Sequence, residues 1–78
     1  MDFAKMKIVE ISYELESNTK TNRLGFKEHY IRRIYLEMPE SVAIEAGQGI
    51  YDIRIFEILN NAADLQDCVL IGINKVTY

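Results

Sequence analysis

The segment VEISYELE, residues 9–16, alternates apolar and polar side chains at every position. Val9, Ile11, Tyr13 and Leu15 are apolar, and the residues between them are serine or glutamate. Because successive side chains of a β-strand point to opposite faces, this period of two predicts a strand with one buried face and one wet face. The segment therefore indicates a sheet that packs on one side only.

A second segment rich in β-forming residues follows from residue 28 to residue 38. Between the two segments lie residues 17–27, which contain Asn18, Asn22 and Gly25. These three residue types favour turns. The sequence therefore predicts an antiparallel hairpin with a long loop over residues 17–27.

Pro39 closes the second strand, because proline cannot donate a hydrogen bond to a neighbouring strand. The residues after it, ESVAIEAG, predict a short helix over residues 40–46. Ser41 is the candidate N-terminal cap of this helix, and Gly47 is the candidate C-terminal stop.

The next segment, GIYDIRIFEIL from Gly49, fits two structures. Its isoleucines and aromatic residues favour β-structure, and Ile53 and Ile55 alternate with polar neighbours, so a strand over residues 50–59 is the preferred prediction. A helix is the alternative, because five residues recur at helical spacing: Tyr51, Ile55, Ile58, Leu59 and Ala62. Glycine in a helix interior costs about 1 kcal/mol, so Gly47 and Gly49 argue against one continuous helix from residue 40 onward.

The last third of the chain completes the predicted fold. Residues 60–67 indicate a loop or one helical turn capped by Asn60 or Asn61. Residues 68–78 predict a terminal strand in which Val69, Ile71 and Ile73 face one way. The predicted fold class is α+β, a small single antiparallel sheet with one or two short helices in the order ββαβ(α)β. The alternative is ββαβ with one long central helix.

Length and composition predict a single globular domain over residues 1–78, with 49% hydrophobic and 27% charged residues. Cys68 is the only cysteine and His29 the only histidine, so we expect no internal disulfide, no metal site and no cofactor. No apolar segment approaches the roughly 18 residues of a membrane span and no signal peptide is evident, so we expect a cytoplasmic protein without a membrane partner. A core this small is marginal, which favours a homodimer.

Catalytic residue combinations are scarce. The one thiol–imidazole pair that the chain offers is Cys68 with His29, and about half the chain separates them. The acidic pairs Glu14 with Glu16 and Asp64 with Asp67 are typical of solvated surface. We therefore expect no catalytic residues and no enzyme activity.

The charge distribution is uneven. Residues 20–33 hold five basic side chains against one glutamate, whereas residues 34–68 hold seven carboxylates against one arginine. Aromatic rings and His29 are interleaved with the basic residues of this hairpin segment. The candidate binding residues, for a protein partner or for phosphate, are Lys20, Arg23, Phe26, Lys27, His29, Tyr30, Arg32 and Arg33.

Two functions fit this segment. The preferred hypothesis is a small non-enzymatic binding module that acts through protein–protein contacts and forms a homodimer, because exposed rings and arginines commonly anchor interfaces. Its chain size suggests, by analogy alone, an inhibitor or accessory protein of phage or mobile-element type. The alternative is binding of nucleic acid or a nucleotide phosphate through residues 20–33, which the isoelectric point near 5.0 disfavours.

Overall fold

The protein is described by a computed structural model that covers residues 5–78. Its elements are, in chain order, strand β1 (Met6–Thr21), strand β2 (Lys27–Pro39), helix α1 (Glu40–Gly47), helix α2 (Ile53–Leu65) and strand β3 (Cys68–Thr77). The three strands form one antiparallel sheet in the order β2-β1-β3. This architecture confirms the predicted α+β class with one antiparallel sheet. The observed order ββααβ agrees only in part with the predicted ββαβ(α)β, because a helix stands in place of the third predicted strand.

Strand β1 is the centre of the sheet and contributes four of the eleven buried apolar residues of the core, more than any other element. The apolar residues of the segment VEISYELE are all buried, as their alternation predicts. We call their side of the sheet the inner face, and the side that carries Glu10, Ser12, Glu14 and Glu16 the outer face. Helix α1 contacts all three strands and α2 contacts mainly β3.

The predicted hairpin is confirmed, but its loop is shorter than residues 17–27. Strand β1 continues to Thr21, and the register with β2 is irregular between Glu16 and Thr21. The buried Ser17 hydroxyl accepts hydrogen bonds from the backbone N–H groups of Thr19 (3.2 Å) and Lys20 (2.9 Å) at this irregularity. The serine hydroxyl thus takes the place of backbone carbonyl acceptors that a regular strand pair would provide, as serine side chains do in turns.

The preferred strand over residues 50–59 is wrong, because α2 occupies these positions. Ile53 and Ile55 do not share an environment, since Ile53 is 70% exposed and Ile55 is buried. The buried residues of α2 are Ile55, Leu59 and Ala63, which recur every fourth position as a helix requires. Asn60 and Asn61 lie inside this helix and do not cap it.

Helix α2 begins at a cap that the sequence analysis overlooked. Asp52 is the N-terminal cap, and its carboxylate accepts a hydrogen bond from the backbone N–H of Arg54 at 2.8 Å. The Arg54 guanidinium also donates to this carboxylate, at 3.0 and 2.9 Å. These bonds lower the pKa of Asp52 from 3.8 to about 2.

The low pKa of Asp52 predicts a pH-dependent contribution to stability. Because the folded-state pKa lies below the unfolded value of 3.8, the contribution is complete above about pH 4 and is lost as the pH falls toward about 2. We expect Asp52→Asn, which keeps a capping side chain, to have a lower melting temperature than the wild type at pH 7. This difference should disappear near pH 2 in thermal scans followed by circular dichroism. A difference that is constant from pH 7 to pH 2 would contradict the assignment.

The two helices are separated at Gly49, which lies at φ +87°. The Gly49 N–H donates to the Ala46 carbonyl at 3.1 Å and the Ile50 N–H donates to the Glu45 carbonyl at 2.8 Å. This pair of bonds is the Schellman motif that ends many helices. Gly49 therefore takes the role predicted for Gly47. The helix 40–46 is confirmed as Glu40–Gly47, but Pro39 occupies the cap position predicted for Ser41, without a capping side-chain bond.

The terminal strand is confirmed, but its side chains do not all face as predicted. Val69 pairs with Glu16 on the outer face, whereas Ile73 pairs with Tyr13 on the inner face. The register shifts twice along β3, so Ile71 and Asn74 are extra residues in β-bulges. The bulge between Val69 and Ile73 reverses the face to which the following side chains point. A regular alternation in the sequence therefore does not predict the face of Ile73 correctly.

Candidate interaction surface

The end of the hairpin is an ordered turn. We call residues 20–27 the hairpin tip. The Asn22 side-chain oxygen accepts hydrogen bonds from the N–H groups of Leu24 (2.9 Å) and Phe26 (3.1 Å), and the Asn22 N–H donates to the Phe26 carbonyl at 2.8 Å. Gly25 supplies the positive φ of +83° that the turn needs. The turn conformation is therefore fixed by its own hydrogen bonds.

This turn presents apolar side chains to water. Leu24 is 80% exposed and Phe26 is 67% exposed. Strand β3 pairs with β1 only as far as Ser17, and Asp67 binds Asn18 and Thr19 just beyond it. All residues from 18 to 27 are exposed. The hairpin tip therefore extends past the packed part of a molecule that measures 57 × 20 × 16 Å.

The structure distributes the eight candidate residues over three places. Four lie on the hairpin tip, two on the outer face and two on the inner face. The tip holds Lys20, Arg23, Phe26 and Lys27, the outer face holds His29 and Arg33, and the inner face holds Tyr30 and Arg32. A single flat partner surface therefore cannot contact all eight.

His29 is exposed and lies beside two carboxylates from the neighbouring strand. Its Nδ1 lies 2.9 Å from Glu14 Oε2, and its Nε2 lies 3.1 Å from Glu16 Oε2. Lys27 lies 4.0 Å from the other oxygen of Glu16. Both nitrogens of the imidazole ring therefore lie within hydrogen-bond distance of a carboxylate. His29 and Lys27 thus have acidic neighbours and do not form an uncompensated positive patch.

Tyr30 and Arg32 form a second small network on the inner face. The Tyr30 hydroxyl donates to Glu28 Oε2 at 2.5 Å, and this hydrogen bond raises the pKa of Tyr30. The Arg32 guanidinium lies 5.0 Å from the centre of the Tyr30 ring, within the range of a cation–π contact. Arg32 Nε also donates to Gln66 Oε1 at 3.1 Å, which ties the strand to the end of α2.

Among the concave regions formed by residues 5–78, one lies near each end of the hairpin. A broad open depression of about 670 Å³ borders the hairpin tip and contains four of the candidates, Phe26, Lys27, His29 and Tyr30. A narrower groove of about 180 Å³ lies near Pro39, between β2 and α2. Its apolar lining includes Leu36, Val42, Ile55 and Ile58. Sequence reasoning missed this groove because it forms only when residues 53–65 are helical.

The thiol–imidazole pair considered in the sequence is not assembled. Cys68 is buried and pairs with Ser17 on the inner face, whereas His29 pairs with Glu16 on the outer face. Over residues 5–78, the structure brings together no group of three or more His, Cys, Asp or Glu side chains that could hold a metal ion. In the same part of the chain, neither helix has the length and apolar character needed to cross a membrane.

Comparison with known proteins gives no relative from which a function could be transferred. No protein-family model, no curated protein and no solved structure matches this chain. The function must therefore be inferred from the geometry of the hairpin tip and of the sheet.

Proposed function

We propose that this chain is a small non-enzymatic protein-binding module that engages its partner through the hairpin tip and associates with itself as a homodimer. The observation that carries the partner-binding proposal is the exposure of Leu24 and Phe26 on a turn held by the Asn22 side chain. An inhibitory or accessory role of phage type stays a prediction from chain size.

The hairpin tip is preorganised for binding. Burying a large apolar side chain in a partner pocket stabilises a complex by about 1.5–3 kcal/mol. A flexible loop would lose part of this gain as ordering entropy, but the turn around Asn22 is already ordered by hydrogen bonds. Leu24 and Phe26 can therefore act as anchors at little conformational cost.

The charges around the tip indicate what kind of partner fits. Lys20 and Arg23 are exposed and, within residues 5–78, form no salt bridge at 4.0 Å or less. Both precede the two apolar anchors within the hairpin tip. The complementary surface is an apolar pocket with an acidic rim, because opposite charges at a rim speed association and fix orientation.

The nucleic-acid alternative has weaker support. Phosphate binding needs several cations that are free of competing carboxylates, yet Glu14 and Glu16 lie beside His29 and Lys27, so only part of the basic segment is available. Arg32 is engaged with Gln66 and the Tyr30 ring. We therefore retain nucleic-acid binding as an outcome of the test and not as the preferred function.

The test compares partner capture by the wild type and by a variant with a polar tip. We expect Leu24→Ser combined with Phe26→Ser to reduce the recovery of specific partners by about 100-fold or more, since each 1.4 kcal/mol is a factor of ten. The chain is immobilised, exposed to a lysate of the cells that produce it, and the bound proteins are quantified by mass spectrometry. The melting temperature should not change, because both side chains are exposed.

A matched control is Ile53→Ser, since Ile53 is 70% exposed and lies at the start of α2, between two residues that line the groove near Pro39 at the other end of the hairpin from the tip. It should capture partners as the wild type does. Equal recovery by the tip variant and the wild type would rule out the tip as the contact surface. Binding of a mixed single-stranded oligonucleotide that weakens steeply with salt, and that Lys20→Glu with Arg23→Glu removes, would favour the nucleic-acid function instead.

A further inference from the structure

We propose that two copies of this chain associate through the free edges of their β2 strands, which pair antiparallel about a two-fold axis at Tyr35. The two three-stranded sheets then form one sheet of six strands. This inference rests on the self-association included in the proposed function, and it names the surface and the register.

The first observation is the regularity of β2. Within the residues that the structure describes, β2 lies at one edge of the sheet and pairs only with β1. Its register is unbroken from His29 to Pro39. The opposite edge, β3, contains two bulges, which commonly protect an edge from pairing with another chain. Strand β2 has no such bulge over this range, so its outer edge is the one that can form a regular ladder of hydrogen bonds with another strand.

The second observation is the incomplete cover of apolar side chains along β2. Ile34 and Leu36 on the inner face are only half-buried. On the outer face, Ile31 is 61% exposed and Tyr35 is 64% exposed. A stable dimer buries about 1,200–2,000 Å² in total, which strand edges alone do not reach. Apolar side chains on both faces of β2 supply the additional area.

The third observation is charge complementarity, which selects the register. An antiparallel pair with a two-fold axis perpendicular to the sheet places residues of the same face opposite each other. An axis at Arg32 or Arg33 would oppose two guanidinium groups, and like charges directly opposite are destabilising. An axis at Tyr35 instead places Arg33 opposite Glu37 of the second copy, twice by symmetry.

The same register also matches the apolar residues. The two Tyr35 rings face each other at the axis, and Ile34 lies opposite Leu36 of the second copy on the inner face. Aromatic pairs and β-branched residues are favourable cross-strand neighbours. The α1 and α2 helices of both copies then lie on the same side of the six-stranded sheet, so the apolar groove beside Leu36 borders the dimer contact.

The experiment combines a mass measurement with cysteine cross-linking. Light-scattering chromatography of the full chain should give twice the monomer mass of 9.1 kDa. Tyr35→Cys should form a disulfide-linked dimer on mild oxidation, because its two copies meet at the axis. Ile31→Cys is the matched control on the same strand and face. In this register, the strand rise of about 3.3 Å per residue places position 31 of one copy about 26 Å from position 31 of the other. The two cysteines at this position should therefore not form a disulfide. The native Cys68 is buried and does not compete.

Charge reversal provides a second readout of the register. Arg33→Glu and Glu37→Arg should each raise the dissociation constant by about tenfold or more, and the double variant should restore wild-type association. Efficient cross-linking of Ile31→Cys but not Tyr35→Cys in a dimeric protein would overturn the β2 register while self-association stands. A monomer at every concentration would overturn both. Neither result bears on partner capture, because Leu24 and Phe26 lie outside the paired residues 31–39.

Discussion

Leu59→Ala is expected to lower the free energy of unfolding by about 2–5 kcal/mol, the range for removing a buried leucine side chain. Leu59 is completely buried and lies in the same core cluster as Ile11 and Leu15 of the central strand. The loss includes the transfer energy of the side chain and the cavity that it leaves. A small domain is stable by only about 5–15 kcal/mol, so this single change removes a large fraction of the total.

The measurement is urea denaturation followed by circular dichroism at one fixed protein concentration, because self-association makes the midpoint depend on concentration. Leu65→Ala is the matched control on the same helix, since its side chain is 90% exposed. Its stability should stay within about 0.5 kcal/mol of the wild type. If the two variants had equal midpoints, α2 would not be packed through Leu59 as described.

Gly49→Val should lower the free energy of unfolding by about 1–3 kcal/mol, the cost of holding a residue in a sparsely populated backbone region. Gly49 has φ +87°, which a β-branched residue strongly disfavours. The Schellman bonds from Gly49 and Ile50 require this conformation. Valine must therefore either accept the strain or break the end of α1 and shift the start of α2.

The control separates backbone strain from the added side chain. Gly72 lies in β3 with open space around the position of an added Cβ and without a positive φ. Gly72→Val should therefore be neutral or slightly stabilising, because valine favours strands. Gly49→Asn should fall between the wild type and Gly49→Val in the same denaturation experiment, since asparagine tolerates positive φ better. Equal losses at Gly49 and Gly72 would show that φ at position 49 is not the cause.

The elements that the sequence predicted correctly are those whose patterns are local. The alternation of residues 9–16 places Val9, Ile11, Tyr13 and Leu15 in the core, as observed. The hairpin follows from the turn residues around Asn22 and Gly25. The short helix after Pro39 and the strand that begins at Cys68 also agree with the structure within one or two residues.

The error at residues 50–59 shows where local patterns fail. Isoleucine and aromatic residues favour strands, but the apolar inner face of β1 needs a cover that lies across the sheet and not beside it. A helix places Ile55, Leu59 and Ala63 together in that core. One local signal could have found the helix: Asp52 stands directly before the apolar stripe and caps it.

The candidate surface was also only partly predictable. The sequence identified the basic, ring-containing segment and the turn that orders it. It could not show that Glu14 and Glu16 lie beside His29, because that contact depends on the register between two strands. A segment that carries net positive charge in sequence is therefore partly neutralised in space by residues from the preceding strand.

The position of β1 between β2 and β3 has a consequence for synthesis on the ribosome. One neighbour of β1 is the next strand along the chain, whereas the other is the last of the five elements. The hairpin can close as soon as Pro39 has emerged, but the second edge of β1 waits for residues 68–77. A nascent chain interrupted before Cys68 would expose an unpaired strand edge, the kind of surface that promotes aggregation. We expect such truncated products to be bound by chaperones or degraded, while the finished chain escapes both.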